Sequence, residues 1–283
     1  MAIPHKLFRR SVWLSCAALG VVATAAFTAA PSHTLRVCAD PDDLPFSDSA
    51  LRGFENKIAS VIARDLGDTV AYTWWPNRRG FIAHTLRVGR CDVVIEAPKG
   101  LDIVLTTKPY FRSTYYFVTR HDRPAKPTSL DDPLLRKMHI GVSMMGEDYA
   151  LSPPGQALTQ RGLGAHLFGF QSYYDADHHP GDIIDAVSTG KVEAAVAWGP
   201  LAGYYAKHSS VPLDLSPLPD SDTVTGYPMA YDVALGVRIT DRALRDTLNK
   251  VIDRKQAAID SVLHDFGIPT LPLPAASAPP TSR

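Results

Sequence analysis

Two tryptophans and two arginines stand close together after one predicted strand, and their side chains are suited to ligand binding. Trp74 ends the strand, and Trp75, Arg78 and Arg79 follow it. Indole rings can cover a planar or apolar ligand, and guanidinium groups can form paired hydrogen bonds with carboxylates. Successive strand side chains point to opposite faces, so the two indoles cannot share one role. The alternative interpretation places one tryptophan in the core and one arginine in solvent.

A second group of candidate side chains lies at the ends of other predicted strands. Trp198 ends a buried strand in the second half of the chain, and Glu96 ends the equivalent strand in the first half. Ligands of parallel α/β sheets bind beyond the carboxyl ends of the strands. The alternatives are core packing for Trp198 and a turn role for Asp40, which precedes a proline. The predicted cleft residues are Asp40, Phe46, Trp75, Arg78, Arg79, Glu96, Pro98, Thr106 and Trp198.

Residues 173–179, with the sequence YYDADHH, offer oxygen and nitrogen ligands for a metal ion. They are sequence neighbours without the spacing of a known metal site, so a solvated loop is the favoured interpretation. No Ser-His-Asp, zinc-protease, phosphate-loop or dinucleotide motif stands in a supporting context, and no acid–base pair is evident. The sequence therefore predicts neither catalytic residues nor a metal site.

The first half of the chain carries the pattern of a parallel α/β unit. Short apolar strands are predicted at residues 35–39, 70–74 and 92–95, with amphipathic helices at residues 53–66 and 81–88 between them. Such alternation predicts parallel strands joined by helical crossovers. An exposed loop after the third strand and a strand at its far side complete the unit, which closes near Val118.

The second half repeats this pattern after a proline-rich linker. Strands are predicted at residues 139–143, 166–170 and 192–198, with helices at residues 152–161 and 180–189. A last strand and a long helix capped by Asp241 then return to the first half. The predicted organisation is a signal peptide at residues 1–30, a first lobe at residues 34–118 plus 234–268, a second lobe at residues 122–232, and a disordered Pro/Ala-rich tail at residues 269–283.

Composition and charge exclude several classes of protein. The 283 residues are 45% hydrophobic and 9% aromatic, which indicates a globular chain with one or two cores. Lys6, Arg9 and Arg10 lie in an N-terminal segment without acids, and subtracting these three from the 29 basic residues leaves 26 against 29 acidic residues. The remainder has a slight negative charge and no basic patch for nucleic acid.

The N-terminal segment is typical of a signal peptide, with basic residues, then an apolar stretch at residues 12–27, then small residues. Periplasmic localisation without stable membrane insertion is expected. The Arg9-Arg10 pair leaves twin-arginine export open beside the general secretory route. Two cysteines, Cys38 and Cys91, remain after cleavage in a compartment that permits disulfides. A disulfide and two buried thiols both stay open, because the predicted strand positions are staggered.

Five motifs resemble one family of periplasmic proteins. They are LRVCADPDDLPFS at residues 35–47, GFENKIASVIARDLG at residues 53–67, YTWWPNRRGF at residues 72–81, CDVVIEAPKGLDIVLTTKPYFRSTY at residues 91–115 and IIDAVSTGKVEAAVAWGPLAGYYA at residues 183–206. In this order they resemble the quinoprotein-dehydrogenase-associated members of the type II periplasmic solute-binding proteins, the MxaJ/XoxJ-type accessory proteins of methanol dehydrogenase clusters. One departure is Glu96-Ala97-Pro98-Lys99, where the family has an apolar residue and a glycine before the proline.

The resemblance implies a fold and a function. The fold is a type II periplasmic binding protein fold, with two α/β lobes joined by a double-crossover hinge. The function is that of a non-catalytic helper of a pyrroloquinoline quinone (PQQ)-dependent methanol or alcohol dehydrogenase, in maturation or in contact with the enzyme or its cytochrome c. PQQ is implied for the partner enzyme, and no cofactor is implied for this chain.

An alternative function is a solute receptor of an ABC-type transporter. Amino-acid receptors of this fold usually carry an arginine after the third strand, which clamps the α-carboxylate of the ligand. Residues 100–107 contain no arginine. A receptor of this sequence is therefore expected to take a small polar or aromatic ligand other than a standard amino acid, by closure around a hinge near residues 118–122 and 229–233.

Overall fold

A computed structural model describes residues 1–2, 33–145, 150–172 and 178–273 of the chain. Nearly all of the predicted signal peptide lies outside the described residues. So do residues 173–177 of the segment 173–179, which was considered as a possible metal site. The strands are β1 (Thr34–Ala39), β2 (Asp42–Asp43), β3 (Ser47–Asp48), β4 (Thr69–Trp74), β5 (Val93–Pro98), β6 (Leu105–Arg120), β7 (Ile140–Met145), β8 (Ala150–Leu151), β9 (Leu167–Gln171), β10 (Ala194–Trp198), β11 (Leu213–Pro217) and β12 (Ala230–Val237). The helices are α1 (Phe54–Leu66), α2 (Phe81–His84), α3 (Pro153–Gln160), α4 (Asp182–Ser188), α5 (Gly199–His208) and α6 (Arg242–Asp265), with 3-10 turns at Pro133–Lys137 and Gly164–His166.

The long strand β6 belongs to two sections of sheet. Its residues 105–114 pair with β12, and its residues 115–120 pair with β10 and β11. The first sheet section has the order β4-β1-β5-β12-β6, and the second has the order β6-β10-β7-β8, with β9 on β7 and β11 on β6. Both sections fall within one compact unit, residues 32–283. The shared strand explains why they do not divide into separate units.

The apolar faces of α1 and α6 build the core on one side of the first section. Phe54, Ile58 and Ile62 of α1 are fully buried against Leu248 and Ile259 of α6. Their spacing follows the helical period, so each helix turns one stripe toward the sheet. The C-terminal helix therefore returns to the first section, as its sequence pattern predicted.

The second section is covered on both faces. Leu158 of α3 packs on Ile140 and Val142 at one face. Ile184 and Val187 of α4 pack at the other. Strand β10 is buried between these layers, which explains its continuous apolar sequence. In the described part of the chain, no helix combines the length and hydropathy needed to cross a bilayer.

The helix predicted at residues 81–88 is only one turn long. It begins after Gly80, whose φ of 89° suits glycine, and ends before Thr85. The Thr85 hydroxyl donates a hydrogen bond to the Phe81 carbonyl at 2.5 Å, and its backbone leaves the helical region. Val88, which was expected on the apolar side of the helix, is 61% exposed. The helix stops where the backbone of Thr85, with φ of −121° and ψ of −81°, leaves helical geometry.

The structure also moves two predicted boundaries. Strand β6 starts at Leu105, well before the expected residue 115, so part of the predicted loop is strand. The predicted tail at residues 269–283 is held to the protein at its start. The Pro269 carbonyl accepts a hydrogen bond from the Ser113 hydroxyl at 2.7 Å, and the Leu271 amide donates to the backbone carbonyl of Arg112 at 2.8 Å. Residues 274–283 lie outside the described residues.

The outgoing chain passes between the two sheet sections slightly before the predicted residues 118–122, and the returning chain passes within the predicted residues 229–233. Strand β6 exchanges partners between Thr114 and Tyr115, and the Tyr115 amide donates to the Met229 carbonyl at 3.0 Å. Met229 belongs to the returning segment, which enters β12 at the next residue. The outgoing and returning strands therefore run side by side at the crossover.

Candidate functional site

Two adjoining cavities open where the two sheet sections face each other, and together they form the cleft. Their volumes are about 680 Å³ for the first cavity and about 540 Å³ for the second. The residues that line both are Asp43, Phe46, Asn77, Arg78, Arg79, Glu96, Pro98 and Met145. Most of them follow β1, β4 and β5, so the carboxyl ends of the parallel strands supply the floor of the cleft.

Most of the predicted cleft residues lie at the cleft. Phe46, Arg78, Arg79, Glu96 and Pro98 line both cavities. Asp40 lines only the first cavity, and Trp198 lines only the second. Trp75 and Thr106 line neither.

The two exceptions are held elsewhere by packing. Trp75 stacks on His84 with ring centroids 5.3 Å apart and packs against the cluster around the cysteines. Thr106 is 8% exposed in β6, and its hydroxyl oxygen accepts a hydrogen bond from the Gly100 amide at 3.3 Å. Thr106 lies within a strand rather than in a loop because β6 begins at Leu105. The early start of β6 therefore removes Thr106 from the rim.

Asp40 holds two loops at the edge of the cleft. Its carboxylate accepts hydrogen bonds from the Asp42 amide at 2.9 Å and from the Asn77 amide at 2.6 Å. The first is the short-range bond of an Asp-Pro turn, and the second ties the segment of Arg78 and Arg79 to the end of β1. Asp40 thus positions the arginine segment.

Cys38 and Cys91 are joined by a disulfide, with Cα atoms 5.4 Å apart. Both cysteines are fully buried, in a cluster with Phe81, Leu86 and Val94. The turn before β5 brings Cys91 across to the end of β1. The staggered positions of the two cysteines in the predicted strands did not indicate this approach. Since Cys38 and Phe81 also line the first cavity, the disulfide supports one wall of the cleft.

Glu96 and Trp198 join the two sheet sections by a side-chain hydrogen bond. The indole Nε1 donates to Glu96 Oε1 at 3.2 Å. The other oxygen, Oε2, is buried and has no hydrogen-bond partner among the described residues. Burial raises the pKa of Glu96 to about 7, although the bond from Trp198 lowers it in part. Glu96 is therefore a carboxyl group poised to change charge near neutral pH.

Two further acids at the cleft were not predicted. Burial raises the pKa of Asp43 well above its usual range, and repulsion from Asp40 and Glu96 adds to this. Burial likewise raises the pKa of Glu55, with repulsion from Glu96 and Asp43 as the next causes. Glu55 stands in the first turn of α1, where an acid usually serves the helix dipole. Only Asp43 had an available signal, which was its place on the loop after β1, at the same edge that carries Asp40.

Two tyrosines complete an aromatic wall in the second cavity. Tyr115 meets Trp198 with centroids 5.4 Å apart, and Tyr231 meets it from another side at 5.7 Å, both edge to face. All three rings line the second cavity. Tyr115 was predicted only as a strand residue, and Tyr231 lies within the predicted hinge. Neither had a local signal, because β6, β10 and β12 meet only in the folded sheet.

We expect Glu96→Gln to stabilise the protein above pH 7 and to leave its stability near pH 4 unchanged. The pKa of Glu96 rises from 4.5 to about 7 on folding, so the unfolded glutamate ionises first and stability falls as pH rises across this window. Glutamine removes the charge, and its amide oxygen still accepts from Trp198. Thermal unfolding at pH 8 should show a gain on the order of 3 kcal/mol.

Asp253→Asn is the matched control for Glu96→Gln, because Asp253 is an exposed acid outside the cleft. It should leave the pH dependence of stability as in the unmodified protein. If the free energy of unfolding changed with pH in the same way for Glu96→Gln and the unmodified protein from pH 4 to pH 8, this would contradict the raised pKa of Glu96.

A histidine and two aspartates meet at the start of α4, at the end of the segment 173–179 that was considered as a possible metal site. His179 Nε2 lies 3.0 Å from Asp182 Oδ1 and 3.3 Å from Asp185 Oδ2. All three side chains are partly or largely exposed, and His179 Nδ1 accepts a hydrogen bond from the Gly181 amide at 3.1 Å. Because Nδ1 accepts a hydrogen bond, the ring proton lies on Nε2, and hydrogen bonds from Nε2 to the two carboxylates account for these contacts.

Sequence comparison finds relatives along most of the chain. No family model matches it. Protein MoxJ of Methylorubrum extorquens is 33% identical, over 85% of this chain and 82% of the relative. Protein MoxJ of Paracoccus denitrificans is 30% identical, over 94% of this chain and 98% of the relative.

Comparison with solved structures finds proteins of the same kind. MxaJ of Methylophaga aminisulfidivorans MPT superposes with a TM-score of 0.74 at 26% identity, and covers 84% of this chain and all of its own. The periplasmic binding protein XoxJ of Methylobacterium extorquens AM1 gives a TM-score of 0.69 at 32% identity with the same coverage. An ancestral cationic amino acid solute-binding protein, with a TM-score of 0.63 at 19% identity, shares the fold. The predicted type II periplasmic binding protein fold is thereby confirmed, and the chain belongs to the MoxJ, MxaJ and XoxJ family of periplasmic binding proteins.

Proposed function

We propose that this chain is a non-catalytic periplasmic accessory protein of a PQQ-dependent methanol or alcohol dehydrogenase. The observation that carries the proposal is family membership along nearly the whole chain, at 33% identity to MoxJ over 85% of its length. In this role the protein assists maturation of the dehydrogenase, or contacts the enzyme or its cytochrome c. PQQ belongs to the partner enzyme.

The cleft supports a role other than amino-acid capture. Residues 100–107 contain no arginine for a ligand carboxylate. Arg78 and Arg79 line both cavities, but they follow β4 and not β5, and Glu96 and Asp43 line the same cavities. The ionised forms of these two acids would repel an anionic group placed beside them. A free amino acid therefore lacks its usual anchor here, which favours the accessory role over the receptor role known for this fold.

Deletion of the gene tests the accessory role directly. We expect a deletion strain to produce normal amounts of the dehydrogenase polypeptide but several-fold less active holoenzyme, and a plasmid copy to restore it. Activity and bound PQQ should be measured in periplasmic extracts, and a tagged copy should retain the dehydrogenase or its cytochrome c on an affinity column. Unchanged holoenzyme together with no retained partner would refute the proposal.

A solute receptor remains the second candidate function, because the two cavities have the volume of typical small-ligand sites. A receptor would be stabilised by its solute in a thermal-shift screen, through preferential binding to the folded state. Its gene would adjoin genes for a permease and an ATPase, whereas the accessory role predicts a neighbouring quinoprotein dehydrogenase and cytochrome c.

A further inference from the structure

The second cavity has a wall of three aromatic rings from three different strands. Tyr115, Trp198 and Tyr231 come from β6, β10 and β12, and both tyrosines stand edge to face against the indole. Faces of electron-rich rings attract cations, most strongly when the cation loses its water. Tyr115 is 8% exposed, whereas Trp198 and Tyr231 are only half-buried.

Negative charge stands beside the aromatic wall. Glu96 is oriented by Trp198 through one oxygen, while its other oxygen is buried without a hydrogen-bond partner among the described residues. A buried acceptor without a donor is costly. Asp43 lines the same cavity, and burial together with repulsion from Asp40 and Glu96 raises its pKa. A bound cation would supply the missing counter-charge to both acids.

The basic residues of the cleft do not already fill this role. Arg78 and Arg79 line the second cavity, and both take part in interactions of their own. Nevertheless, burial raises the pKa of both Asp43 and Glu96, which is the behaviour of a buried carboxyl group without a close cationic partner.

An organic cation fits this cavity better than a metal ion does. Among the described residues, the group of three metal-ligating side chains whose ligand atoms converge within 4.8 Å is His179, Asp182 and Asp185, outside the cleft. Asp43 and Glu96 thus do not converge with a third ligand on one metal position. The aromatic rings offer faces and no metal ligands, which suits a cation with an apolar surface.

We propose that the cavity lined by Tyr115, Trp198, Tyr231, Glu96 and Asp43 binds a small organic ammonium ion. The rings surround its alkyl groups, and the carboxylates neutralise its charge. This inference does not depend on the accessory role, since either a helper protein or a receptor can carry such a site.

The charge state of the site makes binding depend on pH. The charged or titratable groups around the cavity, taken over all elements that face it, are Asp40, Asp43, Glu55, Arg78, Arg79, Glu96, Tyr115 and Tyr231. An ammonium ion binds the ionised form of Glu96, whose pKa is about 7. Affinity should therefore increase at least about tenfold from pH 5 to pH 8, with release of protons on binding near neutral pH.

Calorimetric titration of the purified mature protein tests the proposal. The probes are choline, tetramethylammonium and ethanolamine, and the control is 3,3-dimethyl-1-butanol, the uncharged analogue of choline. We expect at least one ammonium probe to bind at pH 8 and the uncharged analogue to bind at least about tenfold more weakly. Absence of binding for all three probes at millimolar concentration, or equal binding of the uncharged analogue, would overturn the proposal.

Two variants locate the site. Glu96→Gln keeps the hydrogen bond from Trp198 and should reduce affinity at least about tenfold while removing most of the pH dependence. Trp198→Leu should also weaken binding, and Asp253→Asn, at an exposed acid outside the cleft, should bind as the unmodified protein does. Far-ultraviolet circular dichroism checks that each variant is folded. Unchanged affinity and pH dependence in folded Glu96→Gln would refute the assignment even if an ammonium ion binds.

A negative titration leaves the accessory role intact. That role is measured by holoenzyme in the deletion strain, where a copy carrying Glu96→Gln can be introduced separately. Restoration of holoenzyme by this copy, together with loss of ammonium binding in vitro, would show that the two functions are distinct.

Discussion

Replacing both Cys38 and Cys91 by alanine is expected to lower the free energy of unfolding by about 4 kcal/mol. The disulfide closes a chain segment with a sequence separation of 53, and a loop of this length restricts the unfolded chain strongly. Both cysteines are fully buried, so alanine adds a small loss of packing. Urea unfolding of the purified double variant and the unmodified protein measures the difference.

A reducing agent provides the control for the disulfide. It should lower the stability of the unmodified protein to about that of the double variant, and it should leave the double variant unaffected. We also expect the variant to lose order first around Phe81, which packs on the disulfide and lines the first cavity. Stability insensitive to reduction would show that the disulfide contributes little.

Arg161→Ala is expected to cost about 3–5 kcal/mol, because it leaves a buried carboxylate without its partner. Arg161 and Asp222 have side chains that are only 8% and 3% exposed. The guanidinium group reaches Asp222 Oδ2 at 3.1 Å, Asp131 Oδ1 at 2.7 Å and the Ala157 carbonyl at 3.1 Å. One side chain thus joins α3 to two loops of the second sheet section.

The same ion pair predicts how stability responds to acid. Burial by itself would raise the pKa of Asp222, but hydrogen bonds from Arg161 and Thr225 outweigh it and hold the pKa at about 2. The folded pKa lies below the unfolded value of about 3.9, so this stabilisation is complete above that value and is lost as pH falls toward 2. The Arg161→Ala variant should lose most of this acid dependence.

An exposed ion pair supplies the matched control for Arg161→Ala. Lys108 and Asp253 pair across the surface with 37% and 68% of their side chains exposed. Exposed pairs contribute little, so Lys108→Ala should change stability by less than about 1 kcal/mol. Equal effects of the two substitutions in urea unfolding would mean that the buried pair has no special role.

The long helices could be predicted because their signals are local. The apolar stripe of α6 and its cap at Asp241 lie within one segment, and the Asp241 carboxylate does accept the Leu244 amide at 3.2 Å. The helix predicted at residues 81–88 had a similar apolar pattern and yet formed a single turn. Its residues pack around the disulfide, and the periodicity of the sequence could not predict this packing.

The cleft could be predicted only in part. Trp198 stands at a predicted strand end, and Asp40, Arg78, Arg79 and Glu96 stand beyond such ends, which meet at one edge of an α/β sheet. The rule was wrong for two residues. Thr106 lies within β6, which begins at Leu105, and Trp75 packs against the cluster around the cysteines.

By itself the sequence determined the family, the order of most helices and longer strands, and the edge of the sheet that carries the cleft, because motifs, periodicity and chain order are properties of neighbouring residues. It did not predict α5 or the strands β2, β3, β8 and β11. Only the tertiary structure decided which side chains meet there. Glu96 and Trp198 are 102 residues apart in sequence and form a hydrogen bond across the cleft. The raised pKa values of Asp43, Glu55 and Glu96 likewise arise from burial and mutual repulsion, which exist only after distant segments pack together.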